Sequence, residues 1–285
     1  MGLEKLAKTI KSELKKQEET LAERFINELD SYLIRSRAEE YKKQEEKVGV
    51  YIRPSSYYKC MRQLWYKMKS FPCKENNTAK GIRTLEIGTS LHEWVQRDIF
   101  MKPDTPFPYV PVKELPFLNR EGVELFTEKQ NKFENRPEME IGWIDKRFTP
   151  NHPLYCIVDG VLNPESRYFL FEFKTINPDD FKYLYEPLDE HKKQGALYSL
   201  SSSIDNMLFL YLNKATSEWK SFEFYVTEAQ KEWAHNRVVT LDTCLVNHVL
   251  PPKEVFEMPK YGKGVTNCRF CPYKEFCEKD VSECA

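Results

Sequence analysis

The chain has 285 residues, 41% of them apolar and 31% charged, with a formal net charge of −1. This suits a globular protein with a real core. It excludes a helical membrane bundle, since no apolar run approaches the roughly 20 residues a spanning helix needs, and it excludes nucleic-acid binding by overall charge, which leaves only a local patch.

The opening MGLEKLAKTIKSELKK has no apolar stretch or cleavage site of a secretory signal, and no Ser or Thr where myristoylation favours one. The expected location is a reducing cytoplasm, in a prokaryotic cell or phage-infected host. There the eight cysteines read as free thiols and metal ligands rather than disulfides.

Residues 1–47 set 11 basic against 11 acidic side chains. Leu14, Leu21, Phe25, Leu29 and Leu33 recur at helical spacing, which predicts an amphipathic helix packing on the body or on a protein partner. Residues 1–50 thus form a helical extension and 51–285 the main domain.

Residues 51–83 hold eight Lys and Arg against one acid, Glu75, with aromatic residues interleaved. Cations for phosphates and flat rings for bases are what a single-strand groove uses. Arg53, Tyr58, Lys59, Arg62, Tyr66 and Lys67 are its candidates; the same rings would serve equally as core beneath solvated cations.

Residues 85–100 predict a helix with Leu91, Trp94, Val95 and Ile99 on one side. Residues 101–153, rich in Pro, Gly and Asn, read as loops with short strands. LYCIVDGVL (154–162) and YFLFEFKTI (168–176), joined by NPESR, form a predicted hairpin. A helix over 188–202 follows, then strands over 207–212 and 221–226 and a helix near 227–248. The order predicts an α/β fold with a mixed central β-sheet flanked by helices.

Alternate strand residues share a face, so Glu172 and Lys174 stand side by side in a segment too apolar for an ordinary solvated edge. If the hairpin forms, Asp159 approaches Glu172. Two carboxylates brought together in an apolar setting repel, and a divalent cation with oxygen ligands resolves the repulsion. A lysine beside that cation can orient a water and offset transition-state charge. The plainer alternative is a Lys–Glu pair at a strand end with Asp159 in a turn. His92 on the 85–100 helix is a candidate Mn²⁺ ligand or a satisfied core histidine. Gln194 and Tyr198, at i and i+4, share a helix face.

At the C-terminus, Cys268, Cys271 and Cys277 stand as C-x2-C-x5-C, one short of a four-coordinate set, and Cys284 follows.

The series Gly88-x3-His92, Asp159, Glu172-x-Lys174 and Gln194-x3-Tyr198 resembles the RecB-like branch of the PD-(D/E)xK nucleases, which have a restriction-endonuclease-like core. CRFCPYKEFC resembles the members of that branch with an iron–sulfur cluster, the CRISPR-adaptation exonucleases and the AddB-type helicase–nuclease subunits. Val158-Asp159 stands where the family has Pro-Asp.

The resemblance implies a metal-dependent deoxyribonuclease acting on single-stranded DNA or duplex ends. His92, Asp159 and Glu172, with a backbone carbonyl near residue 173, would hold Mn²⁺ or Mg²⁺. Lys174 would position water, and Gln194 and Tyr198 would hold the substrate. The phrase SYYKCMRQLWY implies Cys60 as the fourth ligand of a [4Fe–4S] cluster with Cys268, Cys271 and Cys277. Spacing alone also allows Zn²⁺ and leaves Cys284 as an alternative; Cys73, Cys156 and Cys244 read as structural. The competing function is a non-catalytic single-strand-binding module within a larger recombination, repair or CRISPR-adaptation complex.

Overall fold

The computed structural model describes residues 20–45, 51–72, 78–102, 104–107, 109–111, 114–126, 140–258 and 264–283. The chain divides into two compact units, residues 1–47 with 76–87, and residues 48–75 with 88–285. Leu14, Cys73 and Cys284 lie outside the described residues.

In the first unit α1 (Leu21–Glu45) forms as expected. Thr20 Oγ1 accepts the Glu23 N–H at 3.2 Å while the Glu23 carboxylate accepts the Thr20 N–H at 2.8 Å, a reciprocal cap. The predicted apolar stripe is largely uncovered, with Leu21, Phe25 and Leu29 exposed. Asp30 pairs with Arg83 and Arg37 with Glu86, tying α1 to residues 76–87. That segment therefore groups with the extension rather than with the main domain.

The second unit begins with α2 (Met61–Met68), which buries Met61, Leu64, Trp65 and Tyr66. Helix α3 (Ala79–Val95) starts in the first unit and runs into the second, where it widens into a π-helical turn at Gln96–Phe100.

The fold is the mixed α/β arrangement flanked by helices that was expected, with the strands of the described residues divided between two sheets. Strands β1 (Val123–Phe126), β2 (Ile141–Asp145) and β3 (Leu154–Val158) make an antiparallel sheet in that order. The second sheet is mixed. It runs β4 (Gly160–Leu162), β5 (Phe169–Ile176), β6 (Asn206–Asn213), β7 (Trp219–Tyr225), with β5 and β6 parallel and the other pairs antiparallel. The predicted hairpin is half right: Gly160–Leu162 pairs with β5, but Leu154–Val158 belongs to the other sheet. The run is cut at Asp159.

Parallel pairing of β5 with β6 requires a crossover, supplied by α4 (Pro178–Lys182) and α5 (Asp189–Ser202). Helix α6 (Glu228–Val246) starts in a Thr227/Gln230 capping box and packs on α5 and α2. Helix α7 (Lys274–Glu283) closes the described chain.

Strand β5 is paired on both sides and buried along most of its length, as its near-continuous apolar run requires. Phe169, Phe171 and Phe173 pack with Val95 and Phe100, whereas Leu170 joins Met207, Phe209 and Tyr211 in the larger core. The first sheet is pinned to α5 by a satisfied buried network. Trp143 Nε1 donates to Ser201 Oγ at 2.7 Å, Ser201 Oγ donates to Asp145 at 2.6 Å, and Arg147 Nη2 also reaches Asp145 at 2.6 Å.

Candidate active site

Asp159 is the residue between the two sheets. The β4 ladder on β5 ends at the pair Gly160–Phe171, so Phe173 N–H has no strand partner on that side. The Asp159 carboxylate supplies one, accepting from Phe173 N at 2.7 Å. This fixes the carboxylate against β5 next to Glu172.

Helix α3 brings His92 Nδ1 to 3.4 Å from the same carboxylate, with its ring edge-on to Phe173 at 4.7 Å. Gln96 Nε2, one turn further on, donates to Asp159 Oδ1 at 3.1 Å. Gln96 was not singled out in the sequence, although its i+4 spacing from His92 marks the same helix face.

Glu172 is 2% exposed and is held from two directions. Lys174 hydrogen-bonds its carboxylate, and Gln194 Nε2 lies 3.4 Å from the same oxygen. Gln194 also donates to Tyr198 Oη at 2.9 Å, and Tyr198 donates to the Ile157 carbonyl. Gln194 and Tyr198 are both buried. Here they brace Glu172 and the end of β3.

The charges are interdependent. Burial pushes the Glu172 carboxyl up, Lys174 opposes this, Asp159 adds to it, and the result is about 7. Burial also raises Asp159, but the His92 hydrogen bond and charge, Lys174 and the Phe173 N–H outweigh it and leave it lowered. Lys174 is raised, its burial outweighed by the two carboxylates.

As described, no three His, Cys, Asp or Glu side chains among the described residues close on one point as the ligands of a single ion do. Glu172 is turned to Lys174 instead. Two buried carboxylates and an imidazole nevertheless form a donor set suited to a hard divalent cation. Burial is the main cause of the raised Glu172 carboxyl, and Lys174 only partly offsets it. The residues fit Mn²⁺ or Mg²⁺, provided Glu172 shares its carboxylate between lysine and metal.

The second cluster joins distant parts of the chain. Cys60, Cys268, Cys271 and Cys277 line one cavity of about 30 Å³ with Arg62, Lys253 and Lys274. All four are free thiols. The Glu254 N–H donates to Cys60 Sγ at 3.4 Å, and Arg62 Nη1 approaches Cys277 Sγ at 3.7 Å. Burial pushes the Cys271 thiol up, and the three neighbouring sulfurs add to the effect. N–H donors and cations around four thiols suit an anionic thiolate-bound centre. Cys156 is fully buried in β3 and Cys244 packs at the core edge, away from the set.

The predicted single-strand patch is only partly displayed. Tyr66 is 1% exposed and stacks on Tyr273 at 5.7 Å, so its ring is core. Arg62 turns inward, donating to the Pro251 carbonyl at 2.8 Å. Both are removed from the DNA-facing set. Arg53, over the Tyr155 ring at 4.8 Å, and Lys67 are exposed; Lys59 and Tyr58 are half-buried and stack on each other. No helix among the described residues is long and apolar enough to cross a membrane.

No family model and no curated protein matches the chain. Two solved structures are similar over most of their lengths. The crystal structure of SSO0001 covers 87% of this chain and 96% of its own at 14% identity, with a TM-score of 0.48. An alkaline exonuclease from Laribacter hongkongensis covers 82% and 95% at 11% identity, with a TM-score of 0.42. Values this low do not decide an activity, which has to be argued from the site.

Proposed function

We propose that the chain is a metal-dependent DNA nuclease of PD-(D/E)xK type, acting in the cytoplasm on single strands or duplex ends. The observation that carries this is that His92 lies against the Asp159 carboxylate, and that Asp159 in turn caps the Phe173 amide between Glu172 and Lys174 on β5.

His92, Asp159 and Glu172 are the residues that would hold Mn²⁺ or Mg²⁺, which when bound supplies Lewis-acid activation of phosphate and water. Lys174 aligns the attacking water and offers positive charge to the phosphate oxygens as negative charge builds there. Water adds to phosphorus, one P–O ester bond breaks, and the products are a phosphomonoester and a free hydroxyl. Gln96 and Gln194 hold the two carboxylates in register.

Cys60, Cys268, Cys271 and Cys277 are proposed to carry a [4Fe–4S] cluster that fastens residue 60 to the C-terminal segment. Anaerobically purified protein should show broad visible absorbance that Cys271→Ser loses; a zinc site would show none in either form.

The deciding assay is degradation of end-labelled single-stranded DNA in Mn²⁺. Wild type should consume the strand and Lys174→Ala should leave it intact while still binding it. Equal cleavage by both proteins overturns the assignment, and binding without cleavage by wild type favours the non-catalytic module.

A further inference from the structure

A second recess lies beside the end of β4, and the site described above makes no use of it. It is a cavity of about 240 Å³ whose lining includes Phe107, Tyr109, Glu114, Asn163, Pro164 and Tyr168. We propose that it receives one unstacked nucleobase of the substrate strand, an assignment that rests on the nuclease reading.

Tyr109 joins this cavity to the carboxylates. Its backbone bridges to Leu162 of β4, and its ring stacks on Phe100 at 5.3 Å. The ring lies directly over Gly160, where a Cβ would stand 2.2 Å from Cε1 and 2.6 Å from Cζ. The ring therefore packs against the residue that follows Asp159 in the chain. The Tyr109 hydroxyl is buried and has no hydrogen-bond partner among the described residues, a state native proteins rarely leave unexplained. Burial, then the Asp159 and Glu172 charges, push the phenol's pKa up, so it remains a donor. A strand whose base enters the cavity brings its adjoining phosphate to that donor.

The lining selects the occupant. Phe107, 50% exposed at the mouth, and Tyr168 provide flat faces, and Pro164 adds a rigid apolar wall. Asn163 and Glu114 offer an amide and a carboxylate, the groups that pair with base edges. The described lining is mainly aromatic and apolar, as a stacked ring requires. The volume is below the roughly 300–1,000 Å³ of sites that enclose whole ligands, which suits a single planar ring system.

The test uses the full-length protein in EDTA, so that nothing is cut, with a fluorescent single-stranded oligonucleotide and an abasic strand of the same length. Wild type should bind the base-bearing strand more tightly. Phe107→Ala, and Phe107→Leu, which keeps apolar bulk but removes the flat ring, should weaken that binding by about tenfold and leave the abasic affinity unchanged. If wild type cuts DNA in Mn²⁺ yet binds both strands alike, the nuclease reading stands and the base pocket is overturned. If it neither binds nor cuts, the nuclease reading falls and the pocket with it.

Discussion

Lys174 stands between two carboxylates, and its removal separates the stability of the site from its chemistry. Without the ammonium, the buried Glu172 carboxylate loses its ion pair, while Asp159 keeps His92, Gln96 and the Phe173 amide. Lys174→Ala should lower stability by on the order of 2–3 kcal/mol, below the roughly 3–5 of a fully enclosed pair because the lysine side chain is 20% exposed. The same variant should gain more from divalent metal than wild type does, since the cation then supplies the missing charge. Thermal melts with and without Mn²⁺ check both, and a metal-dependent gain no larger than wild type's would show that the carboxylates do not share an ion. Tyr109→Phe makes the complementary case. It removes a buried hydroxyl that has no partner among the described residues, so the melting temperature should hold or rise while cleavage falls.

At the scale of elements, the site depends on a strand that changes sheets. Gly160→Ala should destabilise by about 1–3 kcal/mol, the usual cost of forcing extra volume into a packed site, because the new Cβ must displace the Tyr109 ring. Chemical denaturation measures it, and an unchanged midpoint would mean that the ring moves freely. Much of this architecture was legible in the sequence. Strands β5 and β6 announce themselves by apolar runs, helices α5 and α6 form at close to their expected positions, and the E-x-K spacing places Glu172 beside Lys174. The break at Asp159 was hidden because LYCIVDGVL is apolar on both sides of it, and local pattern does not show which sheet each half joins. Tyr66 and Arg62 were misassigned for a related reason: rings and cations alternate on α2 whether they face solvent or core, and contacts from Tyr273 and Pro251, distant in sequence, decide the matter. Tyr109 gave no signal, since its meaning comes from lying over Gly160.

In the second unit taken as a whole, the segment around Cys60 is tied to the C-terminal part of the chain by more than thiols. Glu254 accepts the Met61 N–H at 2.6 Å, and Arg237 joins Glu254 to the Lys59 carbonyl. The Arg237 guanidinium also lies over Tyr57 at 5.1 Å and Trp233 at 5.6 Å. Arg237→Ala should cost about 3–5 kcal/mol, because it strands a half-buried carboxylate and a backbone carbonyl together. A melting temperature within a degree or two of wild type would show that the thiol-lined junction holds these segments without the arginine. Joining residues so far apart in sequence restricts the unfolded chain most strongly.

Because the Phe173 amide has a carboxylate where its neighbours have a strand, its proton serves as a built-in reporter. Backbone ladders open with their sheets, but this hydrogen bond opens whenever Asp159 swings away. Its deuterium exchange rate should therefore follow the angle between the two sheets and slow when the aspartate is engaged elsewhere in the site, giving a direct reading of how often the carboxylate points where the chemistry needs it.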